Sequence, residues 1–343
     1  MKVLLVLGPS TGGIGRHVAA LAEGLAGRGD QVRVIGPAET LQRFPMPGAE
    51  PGLTVRHVRR AAAGVDVVHA HGIRAGAVAA AALLGVRRRP RLLVTWHNLV
   101  GFGASVPASL GYRVQRFVAR RSDLSLCVSP DLVERVRALG GRARLGPVGA
   151  ARRAPSGRST QETRAELGVA ADGRLVLAVA RLAPQKGLDV LRAAARQLPA
   201  DVVVAVAGDG PDRDRLGPPL RLLGARDDVA DLLAAADVVV LPSRWEGSPL
   251  AAHEALLAGR PLVATAVGGV PALVGDDDPP PAVLVPAEDP DALAAALRRL
   301  LDDPAEREAL SRRALRRAAE WPDAERTVAL VVDVYRELQA GPA

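Results

Sequence analysis

The stretch Ala236-Asp237-Val238-Val239-Val240-Leu241-Pro242-Ser243-Arg244-Trp245-Glu246-Gly247-Ser248-Pro249-Leu250-Ala251-Ala252-His253-Glu254 decides the fold. Residues 237–241 form a short apolar run, and a strand apolar on both faces needs cover on both sides. Ser248 is a residue type that caps a helix and Pro249 one that opens it. A buried strand, a loop and a helix make one step of a βα alternation. The step recurs outward from here. Strands are expected at 175–180 and 202–207 before it and at 261–265 and 282–285 after it, with a helix from about Leu188. The first half repeats the rhythm, with strands expected at 2–7, 31–35, 53–58, 65–69, 91–95, 124–128 and 143–148. Helices are expected at 16–28, 109–121 and 131–139.

A chain of 343 residues exceeds what one core usually supports. The alternation breaks at 149–168, a polar, turn-rich stretch containing Pro155-Ser156-Gly157. We therefore expect a first Rossmann-like domain at 1–150, a linker at 151–168 and a second Rossmann-like domain at 169–320. Helices at 291–301 and 323–338 close the chain, the latter in a C-terminal segment at 321–343. The fold class is α/β: two doubly wound domains facing a cleft, with ligands held by loops beyond the carboxyl ends of the strands.

Composition narrows the function. The net charge is +8, yet aromatic residues make up only 2% of the chain. No basic stretch carries interleaved aromatics for stacking bases, so nucleic acid is not the expected partner. No apolar run reaches the roughly 18 residues of a membrane-spanning helix. The apolar start at 3–7 feeds directly into a Gly-rich turn, so it reads as a first strand and not a signal peptide, and a cytoplasmic protein is expected. A lone cysteine, Cys127, excludes an intrachain disulfide and reads as core. Of the 45 Lys and Arg residues only Lys2 and Lys186 are lysines, and Asn98 is the only asparagine. In a chain that avoids these types so strongly, Lys186 and Asn98 point to chemical need.

Three loops concentrate chemistry. Gly8-Pro9-Ser10-Thr11-Gly12-Gly13-Ile14-Gly15-Arg16 joins a strand to a helix, where backbone N–H groups can face an anion. It is not a dinucleotide fingerprint, because Val18 stands at the third glycine position and no acidic residue closes the next strand. It equally suits a tight turn needing positive φ. Arg181-Leu182-Ala183-Pro184-Gln185-Lys186-Gly187 brackets a turn with two cations, a planar fork and a point charge, which suits a diphosphate. In the opening stretch Glu246 falls in the loop and Glu254 one to two turns into the helix. The two carboxylates would reach different parts of one elongated ligand.

These loops, with Ala207-Gly208-Asp209-Gly210-Pro211 and the spacing of Glu246 and Glu254 (E-x7-E), make nearly the whole chain resemble the bacterial retaining GT-B glycosyltransferases of family 4. The resemblance implies a hexosyltransferase-type enzyme moving a sugar from a nucleoside diphosphate sugar, UDP or GDP, to a hydroxyl acceptor on a lipid, glycan or small metabolite. It implies that the first domain takes the acceptor and the second the donor, and that the C-terminal helix of 321–343 crosses back to the first domain. Catalytic roles fall to His97, Glu246, Arg181 and Lys186, with Arg181 and Lys186 neutralising the leaving diphosphate. Donor contacts are implied for Gly13, Gly15, Gly247, Ser248, Pro249, Leu250 and Glu254, the last on the ribose. Gly12 and Asn98 are implied on the acceptor side. His97-Asn98 departs from the family's frequent His-Asp, which removes a carboxylate partner for the imidazole.

No cofactor and no required metal are expected. Asp212-Arg213-Asp214 fits a D-x-D metal pattern but follows Gly210-Pro211 at a helix start, where acidic residues suit the dipole. His69-Ala70-His71 has no carboxylate or cysteine nearby in sequence to complete a metal site. The basic segments at 87–91 and 109–121 fit a solvated surface or peripheral contact with the inner face of a membrane. An acceptor-recognising loop is expected at 100–107. The alternatives on the same fold are a nucleotide-sugar epimerase, a sugar phosphorylase, a non-catalytic nucleotide-sugar-binding protein and a dehydrogenase.

Overall fold

The computed structural model describes residues 1–10, 12–98, 107–146, 148–150 and 156–341. The chain forms two compact units, Met1–Gly149 with Pro322–Ala343, and Ala150–Trp321. The first runs β1 (Lys2–Leu7), α1 (Gly13–Gly27), β2 (Gln31–Gly36), α2 (Ala38–Arg43), β3 (Ala49–Pro51), α3 (Val55–Ala61) and β4 (Val67–His71). It continues with α4 (Ile73–Ala82), β5 (Arg91–Trp96), α5 (Ala108–Arg121), β6 (Leu124–Cys127), α6 (Pro130–Ala138) and β7 (Ala143–Leu145). The second unit runs α7 (Thr160–Glu166), β8 (Arg174–Val179), α8 (Leu188–Ala195), β9 (Val202–Ala207), β10 (Leu220–Gly224), α9 (Val229–Ala235) and β11 (Val238–Leu241). It ends with α10 (Leu250–Leu257), β12 (Leu262–Thr265), α11 (Val270–Val274), β13 (Val283–Val285), α12 (Pro290–Asp302) and α13 (Pro304–Glu320), and α14 (Ala324–Ala340) then belongs to the first unit.

Each unit is built on one parallel sheet, ordered β3-β2-β1-β4-β5-β6-β7 in the first and β10-β9-β8-β11-β12-β13 in the second. The sequence dictates this through strands that are apolar on both faces. In β8, Leu175 and Leu177 join one buried cluster with Leu256 and Leu273, while Val176 and Ala178 join another with Leu191 and Leu297. Successive residues of a strand face opposite ways, so each face gets its own helical cover. In the first unit, Leu5, Leu7, Val18 and Leu21 pack with Val328, Val331 and Tyr335 of α14. No helix among the described residues is long and apolar enough to cross a membrane.

Several elements depart from expectation. Residues 55–61 are helix α3, not the strand expected at 53–58. The segment's apolar positions fit either period, and Thr54 decides it by accepting the His57 N–H as an N-cap. β4 ends at His71, two residues beyond the expected strand, and α1 starts at Gly13, three residues early. Residues 160–166, read as linker, form α7 in the second unit. Its reciprocal capping bonds between Ser159 and Glu162 are an S-x-x-E signature the polar composition masked. Strand β10 was missed because Gly217-Pro218-Pro219 reads as a turn and only Leu220 of the strand is fully buried.

Tyr335 is completely buried, and its hydroxyl lies 2.7 Å from His69 Nδ1, tying α14 to β4. Tyr335→Phe should lower unfolding free energy by about 1–3 kcal/mol, since it strands a buried imidazole nitrogen. Denaturant titration checks this, and an unchanged midpoint would remove the bond from the account of how α14 is held.

Candidate functional site

In each unit the chain runs outward from a central strand and then returns to that strand's other side. The switch lies between β1 and β4 in the first unit and between β8 and β11 in the second. Loops leaving the two strands at a switch diverge and open a crevice at their carboxyl ends, where doubly wound sheets bind ligands. The residues singled out in the sequence fall there.

In the second unit the loop after β8 carries Arg181 and, in a one-turn 3₁₀ helix Pro184–Lys186, Lys186. The loop after β11 carries Ser243 to Pro249. The two are locked together. Gly187 has φ 60°, and a Cβ there would lie 2.0 Å from the Pro242 carbonyl oxygen, so only glycine lets the loops approach this closely. The Gln185 side-chain amide donates to the Trp245 carbonyl at 2.8 Å. Arg244 spreads its fork over the Pro184 carbonyl, Asp189 and Glu288. Those contacts raise its pKa further.

Glu246 is 4% exposed, and a carboxylate so buried needs compensation. Lys186 Nζ donates to Glu246 Oε1 at 2.6 Å, and Ser243 Oγ donates to the same oxygen at 2.6 Å. The Gly269 N–H donates to the Glu246 carbonyl at 2.9 Å. Gly268 has φ 52°, and its missing Cβ would meet that same carbonyl. Thr265 Oγ1 in turn donates to the Ser243 carbonyl. Arg181 is exposed and makes no ion pair or hydrogen bond to another described side chain. Among the described residues the site thus presents one ammonium already paired, one carboxylate fixed by two donors with its backbone carbonyl held by a third, and the exposed Arg181 guanidinium. Gly247 and Pro249 are buried, and Ser248, Leu250 and Glu254 are partly exposed. The helix cap lies one residue later than expected: Pro249 is the N-cap and α10 starts at Leu250, so Ser248 does not cap through its side chain.

In the first unit Gly12 caps α1, and Gly13 and Gly15 lie inside its first turn. Neither of the latter has positive φ, so the tight-turn reading fails for them. Gly15 is small because a Cβ would lie 2.3 Å from Phe44. Its N–H donates to Ser10 Oγ at 2.9 Å, so that amide is taken and does not face an incoming anion. Asn98 is exposed in a bend after β5. Residues 100–106 of the expected acceptor loop lie outside the described residues. His97 follows β5 directly and is 9% exposed.

His97 belongs to a cluster of four buried histidines in the first unit, of which the sequence linked only His69 and His71. His71 ends β4 with its Nδ1 at 3.3 Å from His97 Nε2. His17 on α1 faces both rings. His69 engages Tyr335 through Nδ1 and Thr95 through Nε2, each at 2.7 Å. Burial pushes the His17 pKa down to about 4 and holds His69, His71 and His97 well below the ordinary value. Mutual repulsion adds to the effect in the last three. Among the described residues His17, His71 and His97 are the one group whose donors converge as metal ligands would, and Asp212 and Asp214 do not join such a group. Cys127 is buried, which pushes its thiol up to about 12 and suits core packing. Ser243 and Gly268 were also missed. Ser243 sits in the decisive stretch, but neither residue type signals a carboxylate clamp without the fold.

Residues 12–151 match the family model described as Glycosyl transferase 4-like domain, and 173–303 match Glycosyl transferases group 1. A D-inositol 3-phosphate glycosyltransferase of Xylanimonas cellulosilytica is 30% identical over 95% of this chain and 92% of its own length. One of the same name from Kineococcus radiotolerans is 38% identical over 46% of this chain, a match spanning 42% of that relative. Among solved structures, Anabaena HepE in complex with UDP has TM-score 0.83 and 22% identity, covering 98% of this chain and 100% of that one. Sucrose-phosphate synthase from Thermosynechococcus elongatus has TM-score 0.80 and 23% identity over the whole of both chains.

The four histidines are neutral in the fold, whereas an unfolded chain protonates them near the ordinary imidazole value of about 6.5. Below that value the unfolded chain binds more protons, so stability is full above it and falls as pH drops toward the folded values. The loss is at most about 1.4 kcal/mol per pH unit for each histidine. Urea titrations in EDTA should show His17→Gln with a shallower decline than wild type as pH falls from neutral. Equal slopes would remove His17 from the buried titrating set.

Proposed function

This chain belongs to the GT-B glycosyltransferases of family 4, and on that premise we propose that it transfers a hexose from a nucleoside diphosphate sugar to a hydroxyl acceptor with retention at the anomeric carbon. The observation that carries the reading is the locked pair of loops after β8 and β11, which sets Lys186 on Glu246 and leaves the Arg181 guanidinium free. A leaving diphosphate gathers negative charge as the glycosidic bond breaks. A cation already fixed in place, as Lys186 is by Glu246, stabilises that charge with little reorganisation. Arg181 supplies the planar fork and Lys186 the point charge. Glu254, on α10, is assigned the ribose hydroxyls, and Glu246 holds Lys186 in register beside the sugar. Gly247, Ser248, Pro249 and Leu250 line the donor side at the start of α10. In the first unit His97 is assigned to the transferred sugar, with Gly12, Gly13 and Asn98 around the substrates. The charge stabilisation comes from side chains, so no metal is required. HepE was solved with UDP, which favours a uridine donor. The relatives named for D-inositol 3-phosphate favour a small phosphorylated polyol as acceptor.

The first test is thermal stability with UDP, GDP, ADP, dTDP and NAD, on wild type and Lys186→Ala. A diphosphate well above its dissociation constant should raise the melting temperature of wild type and not of the variant. The variant should also lose turnover by on the order of 100-fold or more. It should be less stable by up to about 3–5 kcal/mol, because Glu246 is left buried and unpaired. Lys186→Met combined with Glu246→Gln should recover stability but not turnover. A shift with NAD alone, or wild-type turnover in Lys186→Ala, would overturn the diphosphate role.

A second, compatible reading concerns location. On α5, Leu110 and Tyr112 are exposed beside Arg113, Arg116, Arg120 and Arg121. Apolar groups framed by cations suit peripheral contact with an anionic inner membrane face. The protein should then co-sediment with anionic vesicles at low salt and not with neutral ones. Equal recovery with both would dismiss the contact.

A further inference from the structure

We propose that His17, His71 and His97 together bind one borderline divalent transition-metal ion of the zinc class. The three rings come from separate elements, α1, the end of β4 and the residue after β5. Their centroids form a nearly equilateral triangle with sides of 5.4, 5.5 and 5.6 Å. One nitrogen from each ring belongs to a set lying wholly within 4.8 Å. A tetrahedral ion with zinc–nitrogen bonds of about 2.0–2.1 Å places its ligand atoms about 3.3–3.4 Å apart. His71 Nδ1 and His97 Nε2 already stand 3.3 Å apart. Side-chain rotation of His17 brings in the third nitrogen.

His71 is 2% exposed, and its Nε2 has no hydrogen-bond partner among the described residues. A neutral imidazole brings one donor and one acceptor, and leaving one buried and unmet costs about 1–3 kcal/mol. Coordination through Nδ1 fixes the ring proton on that Nε2 and leaves it unmet, so the site rests on the convergence of the three donors and not on this atom. The donor set also selects the ion. Three imidazoles without a carboxylate suit zinc, cobalt, nickel or copper and not magnesium or calcium. His69 stands outside the set because both its nitrogens are engaged. It packs on His71 with centroids 4.1 Å apart, so it acts as a positioning residue. Three protein ligands leave a fourth position for water. Binding does not depend on the activity proposed above. One consequence does: an ion on His97 withholds that imidazole from the sugar, so zinc should slow transfer.

The test uses the full chain, without a histidine tag, stripped with EDTA and titrated with cobalt(II) under visible absorption. One equivalent should produce the intense bands of four-coordinate cobalt, and one equivalent of zinc should abolish them. His17→Gln and His71→Gln, checked for folding by melting in EDTA, should weaken cobalt binding on the order of 100-fold, while His57→Gln should not. X-ray absorption of the wild-type zinc complex should count three imidazoles, which keeps the test valid if a variant fails to fold. Absence of a one-equivalent phase, affinity unchanged in the folded variants, or fewer than three imidazoles would overturn the site.

Discussion

Parallel strands cannot be joined by a tight turn, so each connection crosses a face of the sheet and re-enters at the same end. Every outgoing loop therefore leaves from the carboxyl end. The order β10-β9-β8-β11-β12-β13 adds a reversal, which parts the loops after β8 and β11. Lys186, Ser243 and Glu246 meet there because the topology delivers their loops side by side, although 60 residues separate Lys186 from Glu246. The first unit obeys the same constraint, and its histidines gather at the carboxyl ends of β4 and β5.

Within that frame, charge burial sets the detail. Lys186 and Ser243 meet the buried Glu246 carboxylate with two hydrogen bonds, and Lys186 would not be held at one position without Glu246. The pair fixes a cation on the same loop that carries the exposed Arg181. Stability and the proposed chemistry thus share one interaction, which is why a change at Lys186 acts on both.

The strands were legible because burial on both faces writes itself as apolar runs, as in β1 and β9. Lys186 and Glu246 were legible because they stand out against the composition and the loop pattern. What stayed hidden depends on tertiary placement. Thr54 turned an apolar segment into α3, and Ser159 began α7 inside polar sequence. The histidine cluster draws on residues 17, 69, 71 and 97, and no spacing along the chain announces that an α1 ring meets the ends of β4 and β5. Gly15 was noticed for its backbone, yet its size answers to Phe44.

The scarcity of lysine makes the Lys186–Gly187 turn a built-in reporter. A protease specific for lysine finds two cleavable bonds in this chain, after Lys2 and after Lys186. Proteases take their substrates in extended form, and this second bond sits in a 3₁₀ turn running into a left-handed glycine pressed against the Pro242 carbonyl. It can be cut only when the loops after β8 and β11 part. The appearance of two fragments divided at residue 186 would therefore time the local opening of one junction in the second unit, and ligands that hold those loops together would slow that clock.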